Sequence, residues 1–145
     1  MSATADHAEE RTNPAVRLGF QPDQVVQEIG FDDDVDQELR ESIEETIGNE
    51  LMDEDYDDVA DAVVLWFRED DGDLTDALVD ALGFLEEGGS ILLLTPKTGR
   101  DGYVEPSDIG EAVTTAGLSQ TKSVSVGKDW NGSRLNTPKA AAKKR

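Results

Sequence analysis

Cysteine is absent from the 145 residues, which excludes disulfides, thiolate zinc sites and cysteine nucleophiles. Histidine occurs once, as His7 in a polar N-terminal stretch, so chemistry built on an imidazole base or a set of imidazole ligands lacks its material. No apolar run approaches the roughly 20 residues that span a bilayer. The N-terminal residues carry neither a basic start nor an apolar segment, so no secretory signal is expected and a cytoplasmic location follows as the default. Basic residues are scarce, 13 against 33 acidic ones, for a formal net charge of −20. That balance opposes binding to nucleic acid or to an anionic membrane, because both repel the chain at long range. It suits a protein partner, above all a basic one, or a cation.

What is present is an alternation of short apolar runs with amphipathic stretches. Val25 to Gly30 reads as a first strand. Asp34 is placed to cap a helix over 35–47, on which Val35, Leu39, Ile43 and Ile47 recur every four residues and which Gly48-Asn49 ends. Residues 53–58 form an acidic connector. Ala62 to Phe67 is a continuous apolar run, the pattern of a central parallel strand covered on both faces. Asp73 then caps a helix carrying Leu74, Ala77, Leu78, Ala81, Leu82 and Leu85, stopped by Gly88-Gly89. Ser90 to Thr95 is a second buried strand ended by Pro96. Ser107 caps a further helix that closes on Gly117, and residues 118–137 read as an antiparallel hairpin turning at Asn131-Gly132.

Two apolar strands joined by a helix of this length imply a right-handed crossover and a parallel pair. The expected fold is a small three-layer α/β sandwich over 14–137, its sheet mostly parallel with a C-terminal antiparallel hairpin. The polar arm 1–13 and the basic tail 138–145, with Lys139, Lys143, Lys144 and Arg145, are expected to be disordered.

From residue 59 onward this order is similar to the second half of class I methyltransferases: strand 61–67, helix 73–86, the Gly88-Gly89 turn, strand 90–95, helix 107–117 and hairpin 118–137. Over about 15–137 the chain resembles more closely a bacterial domain family of unknown function, frequent in actinobacteria. The resemblance rests on Leu18-Gly19, on Leu92-Leu93-Leu94-Thr95-Pro96-Lys97 and on Asp129-Trp130-Asn131-Gly132-Ser133-Arg134-Leu135. It implies a Rossmann-like, shortened methyltransferase-like fold without an assigned activity.

The departure from true methyltransferases bears on mechanism. Their first strand is followed by closely spaced glycines that let backbone N–H groups approach a cofactor. Here Gly30 is followed by Phe31-Asp32-Asp33-Asp34, and the stretch before the Trp66 strand is too short for two further strand–helix units. No cofactor is therefore expected, neither S-adenosylmethionine nor a dinucleotide.

The polar groups that remain are ligand or partner candidates: Asp32, Asp33, Asp34, Lys97, Trp130 and Arg134. The acidic groups 32–34 and 69–73 both follow strands, so an open parallel sheet brings them to one edge. Crowded carboxylates there suit Mg²⁺ or Ca²⁺, with Asp32 and Asp33 the weak metal candidates; a solvated acidic rim is the plainer alternative. Lys97, at the end of a buried strand, is placed to neutralise that rim. Trp130 and Arg134 either grip an anionic ligand together or are structural, with Arg134 tied to a nearby aspartate.

Three readings compete. In the preferred one the chain is a non-enzymatic regulator or adaptor. In the second it is a small-molecule binder or enzyme using the carboxyl edge through Asp32, Asp33, Lys97 and Arg134. In the third it is a metal-dependent module on the acidic loops. A pocket of convergent carboxylates with Lys97 favours the second or third; a filled edge favours the first.

Overall fold

The structure, a computed structural model, describes residues 14–137, so the expectations for the N-terminal arm and the basic tail lie outside it. In chain order its elements are α1 (Pro14–Arg17), β1 (Val26–Ile29), α2 (Gln37–Ile47), β2 (Ala60–Trp66), α3 (Leu74–Leu82), β3 (Leu85–Pro96), α4 (Pro106–Thr115), β4 (Ser119–Val126) and β5 (Trp130–Asn136), with a short 3-10 turn at Glu69–Asp71. The strands form one sheet in the order β1-β2-β3-β5-β4. β1, β2 and β3 run parallel, and β5 is antiparallel to both of its neighbours. This is the three-layer α/β sandwich with a C-terminal hairpin that the alternating pattern predicts.

The apolar run of β2 serves both faces because successive side chains of a strand point to opposite sides. Ala62, Val64 and Trp66 meet Leu39, Ile43 and Ile47 of α2, while Val63, Leu65 and Phe67 meet Leu74 and Leu78 of α3 and Val113 of α4. Among the described residues β1 has no further strand on its outer side. It carries there a single parallel bridge, Gln27 with Met52. The buried Gln27 amide donates to the carbonyls of Asp53 and Tyr56, at 3.0 and 3.2 Å, and so pins the acidic connector to the strand.

Four local expectations are corrected. Asp36, not Asp34, caps α2, its carboxylate accepting from the Leu39 N–H at 2.9 Å. α3 ends at Leu82 and Gly83, so Leu85 belongs to β3 and Gly88-Gly89 lie inside that strand. There Ala60 pairs with Leu85 but Ala62 pairs with Ser90, an irregularity that a glycine at φ +85°, Gly88, makes feasible. α4 begins at Pro106, a residue whose missing N–H costs nothing in a first turn, rather than after Ser107. The hairpin turns at Gly127-Lys128-Asp129, and Asn131-Gly132 are strand residues. Burial decides that last case: Trp130 must already be in the sheet, paired with Val126 and Pro96, to reach the core.

Candidate functional site

The carboxyl ends of β1, β2 and β3 open on one edge of the sheet, where ligands of open α/β folds bind. Gly30, at φ +86°, lets the end of β1 close tightly on β2; a Cβ there would stand 2.3 Å from the Trp66 carbonyl oxygen. The Gly30 N–H is taken by the Glu54 carboxylate at 2.9 Å. The donor that would face an anion is thus capped by the chain itself.

Arg68, the second residue beyond β2, lies across the ends of β1 and β2, its side chain largely buried. Its Nη1 donates to the carbonyls of Gly30 at 2.9 Å and Trp66 at 3.3 Å. Nε and Nη2 make a fork on the Asp34 carboxylate at 3.0 and 2.5 Å, and Asp71 lies 3.3 Å from Nη1. The guanidinium carbon stands 5.3 Å from the centroid of the Trp130 ring, a cation–π contact. The loop after β3 closes over the stem, with Glu69 N–H donating to the Gly102 carbonyl at 2.9 Å. A Cβ on Gly102 would meet the Arg68 Cβ at 2.8 Å.

Behind this plug lies a second ionic layer. Glu28, buried in β1, accepts from Arg40 Nε at 2.7 Å and Nη2 at 2.9 Å, and from the Trp66 indole N–H at 2.8 Å. Trp66 meets Trp130 edge to face, with centroids 4.9 Å apart, and the Trp130 indole N–H donates to the Asp34 carbonyl at 3.0 Å. Arg40 also covers the half-exposed ring of Phe31, 4.6 Å from its centroid.

Of the sequence candidates, Asp34 and Trp130 are brought together, with Arg68 between them. Asp32 and Asp33 stay exposed on the rim, Asp32 accepting from the Asp33 N–H at 2.8 Å. Among the described residues no three carboxylates or imidazoles are grouped so as to hold a metal ion. Lys97 does not neutralise the rim; its ammonium donates to the Gly127 carbonyl at 3.0 Å and braces the hairpin turn. Arg134 neither stacks on Trp130 nor pairs with an aspartate among the described residues. It lies along β5 against Gly19, where a Cβ would fall 2.1 Å from Nη1, and its buried Nε finds no acceptor. The role expected of Arg134 belongs to Arg68, which the sequence analysis passed over. Its available signal was a lone cation directly after a buried strand and before three acidic residues.

The Arg68 hydrogen bond, with its charge, holds the Asp34 carboxyl below its ordinary 3.8 despite some opposing burial. Burial pulls the Arg68 guanidinium down, and its bonds to Asp34 and Asp71 more than offset that, leaving it raised. For a depressed carboxyl, stability is fully present above the unfolded value and is lost as pH falls through the folded one. Asp34→Asn should therefore be less stable than the parent at neutral pH. The difference in melting temperature should shrink between about pH 6 and about pH 2. A difference that stays constant over that range would show that the carboxylate charge contributes nothing.

A family profile described as protein of unknown function (DUF3052) matches residues 15–139. The chain belongs to that family. It is 53% identical over 141 residues to the uncharacterized proteins Rv2239c of Mycobacterium tuberculosis and Mb2263c of Mycobacterium bovis, covering 97% of this chain and 87% of each relative. In fold this DUF3052 member is similar to a ribosomal protein L11 methylase from Lactobacillus delbrueckii, with TM-score 0.54, 15% identity, and 86% of this chain and 75% of that one covered. It is similar also to a SAM-dependent methyltransferase from Aquifex aeolicus, with TM-score 0.52, 14% identity, and coverage of 90% and 93%. At such identities the likeness establishes the methyltransferase-like Rossmann fold and nothing of the chemistry.

Proposed function

We propose that this DUF3052 domain is a non-enzymatic, methyltransferase-like module that acts through protein contact, as a regulator or adaptor for a basic partner. The observation that carries the reading is the filled crevice at the ends of β1 and β2. Its donors and acceptors are already used by Arg68, Asp34, Glu54 and Trp130. A cofactor entering there would have to break a fork of charge-assisted hydrogen bonds and displace a guanidinium from an indole face, and the Gly30 N–H is already held by Glu54. The outward side of the same edge supports a contact surface. Exposed Asp32, Asp33, Glu69 and Asp70 lie on the loops around the half-exposed Phe31, an apolar anchor within a negative field.

The test has two arms. Isothermal titration of S-adenosylmethionine into the full chain should give no saturable heat; saturable micromolar binding would defeat the reading. Affinity capture on the immobilised chain should retain a basic protein whose retention collapses at moderate salt. The triple variant Asp32→Asn, Asp33→Asn, Phe31→Ala should lose it while melting at nearly the parent temperature. Retention indifferent to both salt and these substitutions would remove the acidic rim from the interface.

A further inference from the structure

On the opposite face of the sheet from Trp130, the hairpin extends beyond the cover of α4 and leaves a cleft of about 420 Å³. That size falls within the roughly 300–1,000 Å³ of small-molecule sites. Register builds its floor. Thr95 of β3 stands opposite Asn131 of β5, which stands opposite Ser125 of β4, and Ser133 of β5 stands opposite Ser123. Each pair shares a face because paired residues point the same way. The far wall is Tyr103 with Val104 and Ile109.

The composition of this lining is unlike the rest of the molecule. In a chain of net charge −20, no charged side chain lines the cleft among the described residues. Thr95 lines the cleft from a largely buried position, 3% exposed, and no hydrogen bond of its hydroxyl is seen among the described residues. Among the described residues, the side-chain hydrogen bonds within the lining are the two donated by Gln120, to the hydroxyls of Ser123 at 2.6 Å and Ser133 at 3.2 Å. The Thr95 hydroxyl, the Tyr103 phenol and the Asn131 amide are left with bonding capacity to offer.

Chemistry narrows the occupant. Among the described lining residues an anion finds no cation, and the net negative charge repels it; a cation finds no carboxylate there. A purely apolar molecule would strip hydroxyls and amides of water without replacing their hydrogen bonds. An uncharged molecule rich in hydroxyls, with one C–H face for the aromatic and aliphatic wall, satisfies both halves of the lining. We propose that this cleft binds a neutral polyhydroxylated ligand of monosaccharide size, its hydroxyls on Thr95, Asn131 and Ser133 and its C–H face against Tyr103 and Ile109. The site lies at the carboxyl end of β3 but on the other face of the sheet from Trp130 and Arg68, and it stands whether or not the adaptor reading holds.

The experiment is a titration of the full chain, followed in amide ¹H–¹⁵N correlation spectra, with glucose, galactose and mannose and, at matched ionic strength, with glucuronate and glucosamine. At least one neutral hexose should shift the amides of Thr95, Asn131 and Ser133 saturably, and glucuronate should bind more weakly. Thr95→Val keeps the shape of the side chain and removes the hydroxyl. It should weaken the neutral sugar about tenfold while leaving the remainder of the spectrum in place. The proposal is overturned if no neutral hexose moves these amides saturably at tens of millimolar. It is equally overturned if glucuronate or glucosamine binds more tightly than the neutral sugars, or if a folded Thr95→Val chain binds as the parent does.

Discussion

Replacing Trp130 with alanine should lower the free energy of unfolding by about 3–5 kcal/mol, the usual range for a buried aromatic. Trp130 is 3% exposed although it is the first residue of β5, next to the hairpin turn. Three contacts converge on it: the Trp66 ring edge to face, the Asp34 carbonyl on its indole nitrogen, and the Arg68 guanidinium over its face. Alanine removes the ring on which Arg68 rests and the donor that holds the β1–α2 loop. Trp130→Phe keeps most of the apolar volume and loses the N–H that meets the part-buried Asp34 carbonyl, so its cost should be smaller, nearer the roughly 0.5–1.5 kcal/mol of one hydrogen bond. Urea denaturation of both variants measures the difference. An alanine variant that unfolds at the parent's midpoint but fails to bind would make Trp130 a ligand platform instead.

Glu28→Ala should be as damaging, by about 3–5 kcal/mol, because it breaks a buried ion pair from one side only. Glu28 is 6% exposed and accepts three hydrogen bonds, two from Arg40 and one from the Trp66 indole. Its removal strands the largely buried Arg40 guanidinium, 22% exposed, and leaves the buried Trp66 indole N–H without its acceptor. The double variant Glu28→Ala, Arg40→Ala should recover part of the loss, since the uncompensated charge is then gone. The Arg40 guanidinium is raised above its ordinary value, chiefly by the Glu28 hydrogen bond and against some desolvation. Thermal melts of the single and double variants test this. A single variant no less stable than the double would mean that the charge was never buried.

Both residues show where sequence reading reached its limit. The apolar alternation of β2 and the four-residue repeat of Leu39, Ile43 and Ile47 made strand, helix and layer visible, because burial on a regular element imposes a period. Glu28 carries no such mark. It is a carboxylate in a four-residue strand, and only its partners from α2 and β2 make its burial affordable. The same is true at the candidate site. Asp34 and Asp71 do meet at one edge of the sheet, but the position of Arg68 after a buried strand does not by itself say that it joins them. Lys97 and Arg134, equally basic and equally placed near strands, were indistinguishable from it until the register directed one to Gly127 and the other to Gly19.

The sequence by itself determined the layered α/β fold, the parallel order of its central strands and the absence of a glycine-rich loop after β1. These follow from periodicity, chain length between elements and the side chains at one turn, all of which are local. Tertiary structure alone decided that Arg68 bridges the ends of β1 and β2 to Asp34 and Trp130, and that a cleft with no charged side chain among its described lining opens behind the hairpin. Each depends on residues far apart in the chain, 34 positions between Arg68 and Asp34 and 96 between Trp130 and Asp34. Which partner a charged or aromatic side chain finds at such separations is set by strand register and helix packing, and these exist only once the whole sheet has formed.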